Sequence, residues 1–277
     1  MIIVIIFLCL LVFGFSVFAL VACHNFKVVR RLFRSVNVLL YGLLVLGIDM
    51  LICIVLSRDN RPYISNVDYH VKVHYFPLDM SMFDVKNNYR NFISGNVRYF
   101  KYQYPENADV YLSDAGIYFP SQYNGELNKE YKQFPVFMAL SRQIGRCNFH
   151  TNTQALNRPW DKIREQCDQY IVCNSCHYSG NVRFLALSRF FSRIVVQRIT
   201  TYTKFEAALD GVRPYEHIKA PFSISSKVRA EYKARDRAAF RQFKEDHGEV
   251  RSRLLIYVNK SNYDTRIFKK ILLGGSQ

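Results

Sequence analysis

The sequence predicts an α/β domain with a mainly parallel sheet, preceded by one or two transmembrane helices. Three observations carry this prediction. Met1 to Ala22 contains no charged residue. Beyond it, short apolar runs alternate with segments whose apolar residues recur at helical spacing. Several of those short runs end in an acid or an amide. Strands alternating with helices build a parallel sheet between helix layers, with its crevice beyond the C-terminal strand ends.

The N-terminal run comes first. At about 1.5 Å per residue, a helix of this length reaches across a hydrocarbon core of about 30 Å. A secretory leader would carry its basic residues in front and a small-residue cleavage site behind. Here Lys27, Arg30, Arg31 and Arg34 follow the apolar run. Residues 1–23 therefore read as a transmembrane anchor and 24–35 as a basic juxtamembrane segment. The positive flank places the rest of the chain in the cytoplasm.

A second apolar stretch, Val38 to Leu56, is interrupted only by Asp49. Read as a second span, it forms a hairpin with the first and buries Asp49 near mid-bilayer, at a cost of about 2.5–3.5 kcal/mol. Read as part of the globular domain, Val36 to Tyr41 is a buried strand and a helix ends at Leu56. Between them, Gly42-Leu-Leu-Val-Leu-Gly47-Ile48-Asp49 has the glycine spacing of a phosphate-binding loop. Gly42, Gly47 and Asp49 are its candidate nucleotide-binding residues. Such a loop needs Lys and then Ser or Thr after its second glycine, and Ile48 and Asp49 stand there. Both readings of 36–56 remain open on sequence.

The body, 36–212, alternates. Arg61 to Asn66 is a short strand and Leu78 to Phe92 a polar helix or loop. Ala108 to Asp114 is a strand ending in an acid. Pro135 to Ile144 is a helix on the spacing of Phe137, Leu140 and Ile144, and Cys147 to Gln154 is a strand ending in amides. Pro159 to Cys167 opens a helix with Pro near its first turn. Gln169 to Cys173 is a strand, and Arg193 to Phe205 a strand or hairpin arm. Asp114 and Gln154 both end strands and would face one crevice. Residues 213–277 form a basic C-terminal tail, with a charged helix over Ser226 to Glu249 and a short strand over Leu254 to Val258.

The formal net charge of +16 favours anionic partners, either nucleic acid or the acidic leaflet of a membrane. The basic helix from Lys227 to Lys244 either contacts phosphates or is a solvated face. Seven cysteines, an odd number without a paired framework, indicate a reducing compartment. Cys173-Asn-Ser-Cys176-His177 matches the haem-attachment spacing, which would demand an outward-facing domain. Zinc is the other ligand these residues could take, with Cys167 or His150 joining, and a single C-x-x-C pair is weak support for it.

Residues 61–170 also carry an ordered resemblance. Val110-Tyr-Leu-Ser-Asp114-Ala115 sits where a Walker B strand would be. Leu140-Ser-Arg142-Gln-Ile-Gly145, Asn152-Thr-Gln154 and Trp160 to Tyr170 follow at plausible spacing. Together they resemble the zonula occludens toxin-like ATPases, FtsK/HerA-type P-loop NTPases of filamentous phages and mobile elements. The resemblance implies a RecA-like P-loop fold and a homo-oligomeric ring in the inner membrane of a bacterial host. It also implies ATP and magnesium as cofactors, and a role in phage assembly, export or DNA translocation. In that setting Asp114 would hold magnesium through a water, Arg142 would act as an arginine finger, and Gln154 would sense phosphate. The departures are the missing Lys and Ser/Thr of the loop, and Ala115 where an acid would polarise water. Fold and role are thus implied more strongly than ATP turnover. A catalytically dead membrane scaffold or receptor of an assembly complex and an outward-facing haem protein are the alternatives.

Overall fold

The computed structural model describes residues 4–16, 37–42, 48–56, 61–79, 107–131, 134–145, 148–178, 194–219 and 225–258. Helix α1 covers 4–16, with Val4 to Phe15 exposed to solvent. At about 1.5 Å per residue this stretch extends about 20 Å, less than a bilayer core. Among the described residues no helix is long and apolar enough to cross a membrane. The rest of the expected anchor, and all of 24–35, lies outside the described residues.

Segment 36–56 resolves into β1 (Asn37–Tyr41) and α2 (Ile48–Leu56), so it is not one continuous span. Strand β1 is buried almost throughout, as expected of a parallel strand covered on both faces. The sheet continues with β2 (Tyr63–Ser65), β3 (Tyr75–Pro77), β4 (Asp109–Leu112), β5 (Phe149–Thr153), β6 (Gln169–Tyr178), β7 (Ile194–Tyr202) and β8 (Val250–Val258). Its order is β3-β2-β4-β5-β1-β6-β7-β8. Every pair from β3 to β6 is parallel. Pairs β6–β7 and β7–β8 are antiparallel, with a register shift between Cys173 and Ser175. The sheet is mixed α/β and mostly parallel, as the sequence predicts.

Alternate residues divide the strands between two layers, because side chains switch face at every position. Val38, Leu40, Tyr111, Ile171 and Cys173 pack with Leu51, Ile52 and Val55 of α2. On the other face lie α3 (Ala115–Tyr118), α4 (Asn124–Glu130), α5 (Phe134–Gly145) and α6 (Asp161–Glu165). There Val110, Leu112 and Phe149 meet Phe134, Phe137, Trp160 and Ile163. Leu39, Tyr170 and Val172 pack beside α7 (Phe205–Leu209), against Ala207 and Ala208.

Several boundaries differ from the sequence reading. The helix expected over Pro159 to Cys167 is confined to α6, because Pro159 bridges to Pro120 and Trp160 is buried. Most of Leu78 to Phe92 lies outside the described residues. Strand β6 runs on past Cys173 to Tyr178, so the backbones of Cys173, Cys176 and His177 belong to a strand and not to a loop. Cys173 is buried, its Sγ accepting from Gln197 Nε2 at 3.3 Å. Residues 213–277 are not merely a tail. Helix α8 (Ser226–His247) leads into β8, whose whole length pairs with β7. The residue spacing over Leu254 to Val258 showed only the apolar half of that strand. Its first half, Val250-Arg-Ser-Arg253, reads as polar, and among the described residues β8 pairs with β7 alone.

Candidate functional site

The chain builds outward from β1 in both directions. After β1 it passes through α2 to β2 on one side, and after β5 it crosses through α6 to β6 on the other. The topological switch therefore lies at the C-terminal ends of β1, β5 and β4, where open α/β sheets bind ligands.

Asp114 sits one turn beyond β4 in the left-handed region, φ 50 and ψ 49, and α3 starts at once after it. A non-glycine residue rarely holds this conformation unless its surroundings impose it. They do here. The Asp114 backbone N–H donates to Asn152 Oδ1 at 2.5 Å, and the Asp114 carbonyl accepts from Ile117 N–H at 2.7 Å. Asn66, just past β2, grips the preceding residue: its Nδ2 donates to the Ser113 carbonyl and its Oδ1 accepts from Ser113 N–H, both at 2.8 Å.

Gln154 Nε2 donates to Asp114 Oδ1 at 3.3 Å. Asn152 Nδ2 donates to Asp49 Oδ1 at 3.1 Å and to Ser113 Oγ at 3.3 Å. Asp49 stands in the first turn of α2. Gly42 closes β1, its N–H donating to the Thr153 carbonyl at 3.2 Å. A Cβ on Gly42 would lie 3.0 Å from both Cys173 Cβ and Ile48 Cδ1, so a side chain here would require these neighbours to shift.

Of the six residues the sequence singled out, Asp114, Gln154, Asp49 and Gly42 thus meet at one edge of the sheet. Gly47 lies outside the described residues. Arg142 belongs to α5, and its side chain is outside the described residues. Asn152, Ser113 and Asn66 were not singled out, although they link the others. Asn66 and Ser113 carry a signal visible in the sequence, a polar residue just past a short strand, whereas Asn152 lies inside the largely polar β5. Arg158 is a further addition. It lines a small cavity with Asp114, Gly116, Thr153 and Gln154, with room for about one water.

The electrostatics are unusual for a phosphate site. Burial, then the neighbouring Asp114 carboxylate, pushes Asp49 up to about 6, and the Asn152 hydrogen bond offsets part of the rise. Burial also raises Asp114, with Gln154 opposing. Two carboxylates side by side resist ionising together.

No protein-family model and no curated protein sequence matches the chain. Similar solved structures exist. The N-terminal domain of zonular occludens toxin from Neisseria meningitidis is 10% identical over 85% of this chain and 98% of that one, with a TM-score of 0.41. ATPases 2 and 3 of EssC from Geobacillus thermodenitrificans are 13% identical over 87% of this chain and 43% of theirs, at 0.37. The genome-packaging NTPase B204 of Sulfolobus turreted icosahedral virus 2, in complex with ATP-gammaS, is 12% identical over 61% of this chain and 92% of that one, at 0.35.

The topology by itself fits a RecA-like P-loop fold. Strand β5 lies between β1 and β4, bringing a strand-end amide between the start of α2 and the strand-end acid. The carboxylates of Asp49 and Asp114, with amide oxygens beside them, are hard donors of the kind magnesium takes. A bound dication would offset the repulsion between these acids and a phosphate chain. Among the described residues no group of three or more His, Cys, Asp and Glu could hold a metal, so a dication here would draw its other ligands from water or phosphate.

Proposed function

We propose that this protein is a membrane-anchored, zonula occludens toxin-like P-loop NTPase-fold protein. It binds a nucleotide with magnesium at the switch-point crevice, with little or no hydrolysis. It serves phage or mobile-element assembly, export or DNA translocation as a homo-oligomeric ring, with its domain on the cytoplasmic side of a bacterial inner membrane. One observation carries the nucleotide reading: Asp49, Asn152, Asp114 and Gln154 are joined by hydrogen bonds across the ends of β1, β5 and β4. The exposed apolar helix α1 supports the anchor.

The same site supports weak turnover. Ile48 brings no charge to a phosphate, and Asp49 brings one of the wrong sign. At about 4 Å and an effective dielectric of about 20, a unit-charge interaction is worth about 4 kcal/mol, so its sign decides affinity. Arg158 is positioned to supply part of the missing cation. A scaffold that binds no nucleotide is the second reading, and it draws on the same carboxylate pair.

Titrating full-length protein with a fluorescent ATP analogue, with and without magnesium, tests the proposal. Binding should require magnesium and vanish in Asp114→Ala. Ile48→Lys with Asp49→Thr should tighten it by about tenfold or more. Hydrolysis should emerge only once Ala115→Glu is added. Binding that ignores magnesium and survives Asp114→Ala would remove the crevice as the site. No binding by either the natural or the Lys-Thr protein would leave the scaffold reading.

A further inference from the structure

A second cavity lies far along the sheet from the crevice. It measures about 240 Å³ and is lined by Tyr215, His217, Phe240, Phe243, Lys244 and Arg251, with Gly248 and Glu249 at the turn into β8. Its walls are built and not incidental. Residues 213–219 run along α8 and are tied to it at Asp236. The Tyr215 hydroxyl donates to Asp236 Oδ1 at 3.1 Å, His217 Nδ1 lies 2.9 Å from Oδ2, and the Ile218 N–H donates to Oδ1 at 2.8 Å. Tyr215 then packs on Phe240 and Phe243, with ring centroids 5.3 and 5.5 Å apart, and His217 lies 5.3 Å from Phe240. The floor is pinned to the sheet. Gly248 has φ +73, and a Cβ there would collide with Thr203 Oγ1, which accepts from Glu249 N–H at 2.8 Å.

Cations stand at the rim. Lys244 and Arg251 each pair with Glu249 at 2.9 Å, all three well exposed. Exposed pairs of this kind are weak and readily exchanged for another anion. The charge continues along α8. Lys233, Arg237, Arg241 and Lys244 recur four, four and three residues apart, which places them on one face, and all are exposed. The stripe covers about 16 Å of helix axis. Asp236, Phe240, Phe243 and His247 form the next stripe round, so the cations run beside the aromatic ring faces.

We propose that this surface binds single-stranded nucleic acid, with one unstacked base seated in the cavity against the cluster of Tyr215, His217 and Phe240 and the phosphates following the stripe from Lys244 to Lys233. Aromatic faces beside a cationic track are what a single strand needs, because each base offers a π face and each phosphate a charge. A duplex hides its bases and offers only phosphates. A free mononucleotide could fill the cavity but would leave the stripe unused. The surface is separate from the β1–β5–β4 crevice, so this inference stands or falls independently of nucleotide binding there.

The test is fluorescence anisotropy with full-length protein in mild detergent, a labelled twelve-residue dT oligomer, a duplex of equal length, and AMP as competitor. The oligomer should bind more tightly than the duplex. Phe240→Ala should weaken the oligomer about fivefold or more while leaving the duplex within about twofold. Phe240→Leu, which keeps most of the apolar area, should show the same selectivity and covers the case of an Ala variant that folds poorly. Lys244→Gln with Arg251→Gln should flatten the salt dependence by about 0.7 in log–log slope for each phosphate no longer neutralised. Equal losses for oligomer and duplex on changing Phe240, unchanged binding in all variants, or displacement of the oligomer by AMP at similar affinity would each overturn the proposal.

Discussion

The two halves of the sheet are built on opposite plans. From β3 to β6 the strands are parallel and both faces are covered, so nearly every residue of β1, β4 and β5 is buried. At the strand ends Asp49, Asp114, Asn152 and Gln154 satisfy one another. In the β7–β8 arm the pairing is antiparallel, and α8 beside it buries no residue at all. Cations are displayed there along an open face. Burial concentrates carboxylates and shifts their protonation in one half, while exposure leaves charge available to anionic partners in the other.

Core truncation should separate the halves most sharply. Trp160→Ala removes a fully buried ring beneath the parallel half and should cost about 3–5 kcal/mol in denaturant unfolding. Arg237→Ala on the open face should change stability by less than about 0.5 kcal/mol. Comparable losses for the two would mean that α8 is packed against something else in the protein.

The next effect is pH dependence. Asp49 has a folded-state value of about 6 against an ordinary 3.8. The folded protein therefore binds the extra proton, and this contribution is fully present below about pH 4 and lost as pH rises through 6. By pH 7.5 the loss is on the order of 2–3 kcal/mol. Asp49→Asn keeps the oxygen that accepts from Asn152 and cannot ionise. It should stabilise the protein at pH 7.5 and give no gain at pH 4, as measured by unfolding at both values. A gain that is the same at both would show that Asp49 does not carry the titration.

A smaller effect is expected from the clamp between β2 and β4. Asn66→Ala frees both backbone groups of Ser113 and should cost about 1–3 kcal/mol. Because Ser113 precedes the strained Asp114, it should also weaken magnesium-dependent nucleotide binding more than an equally destabilising core change does. The smallest effect belongs to the strap over α8. Asp236→Ala should leave the melting temperature unchanged and speed limited proteolysis between Val212 and Lys219. An unchanged digestion rate would mean that the aromatic contacts of Tyr215 alone hold the strap.

Much of the parallel half was legible because its pattern is local. An apolar run ending in Asp114 and a strand ending in the amides Asn152 and Gln154 mark the functional edge. The link between them was not, because Asn152 and Asn66 act across the sheet on residues that are far away in sequence. The extent of β8 and the cavity against α8 were hidden for the same reason. Arg251 and Arg253 look like tail residues until β7 is seen beside them. Segment 36–56 shows the limit most clearly, since apolarity broken inside the run only by Asp49 suits a membrane span and a doubly covered strand equally well.

By itself, the sequence determined the alternation of strands and helices, the acids and amides at strand ends, and the basic character of the C-terminal helix. These follow from periodicity and side-chain chemistry, which operate over a few residues. Only the tertiary structure decided that β5 lies between β1 and β4, and so that Asp49 and Asp114 share one desolvated edge. It alone brought Tyr215 and His217 against Phe240 beside a cationic stripe. Strand order and inter-element packing depend on contacts between residues many positions apart, and no local pattern encodes which of those partners meet.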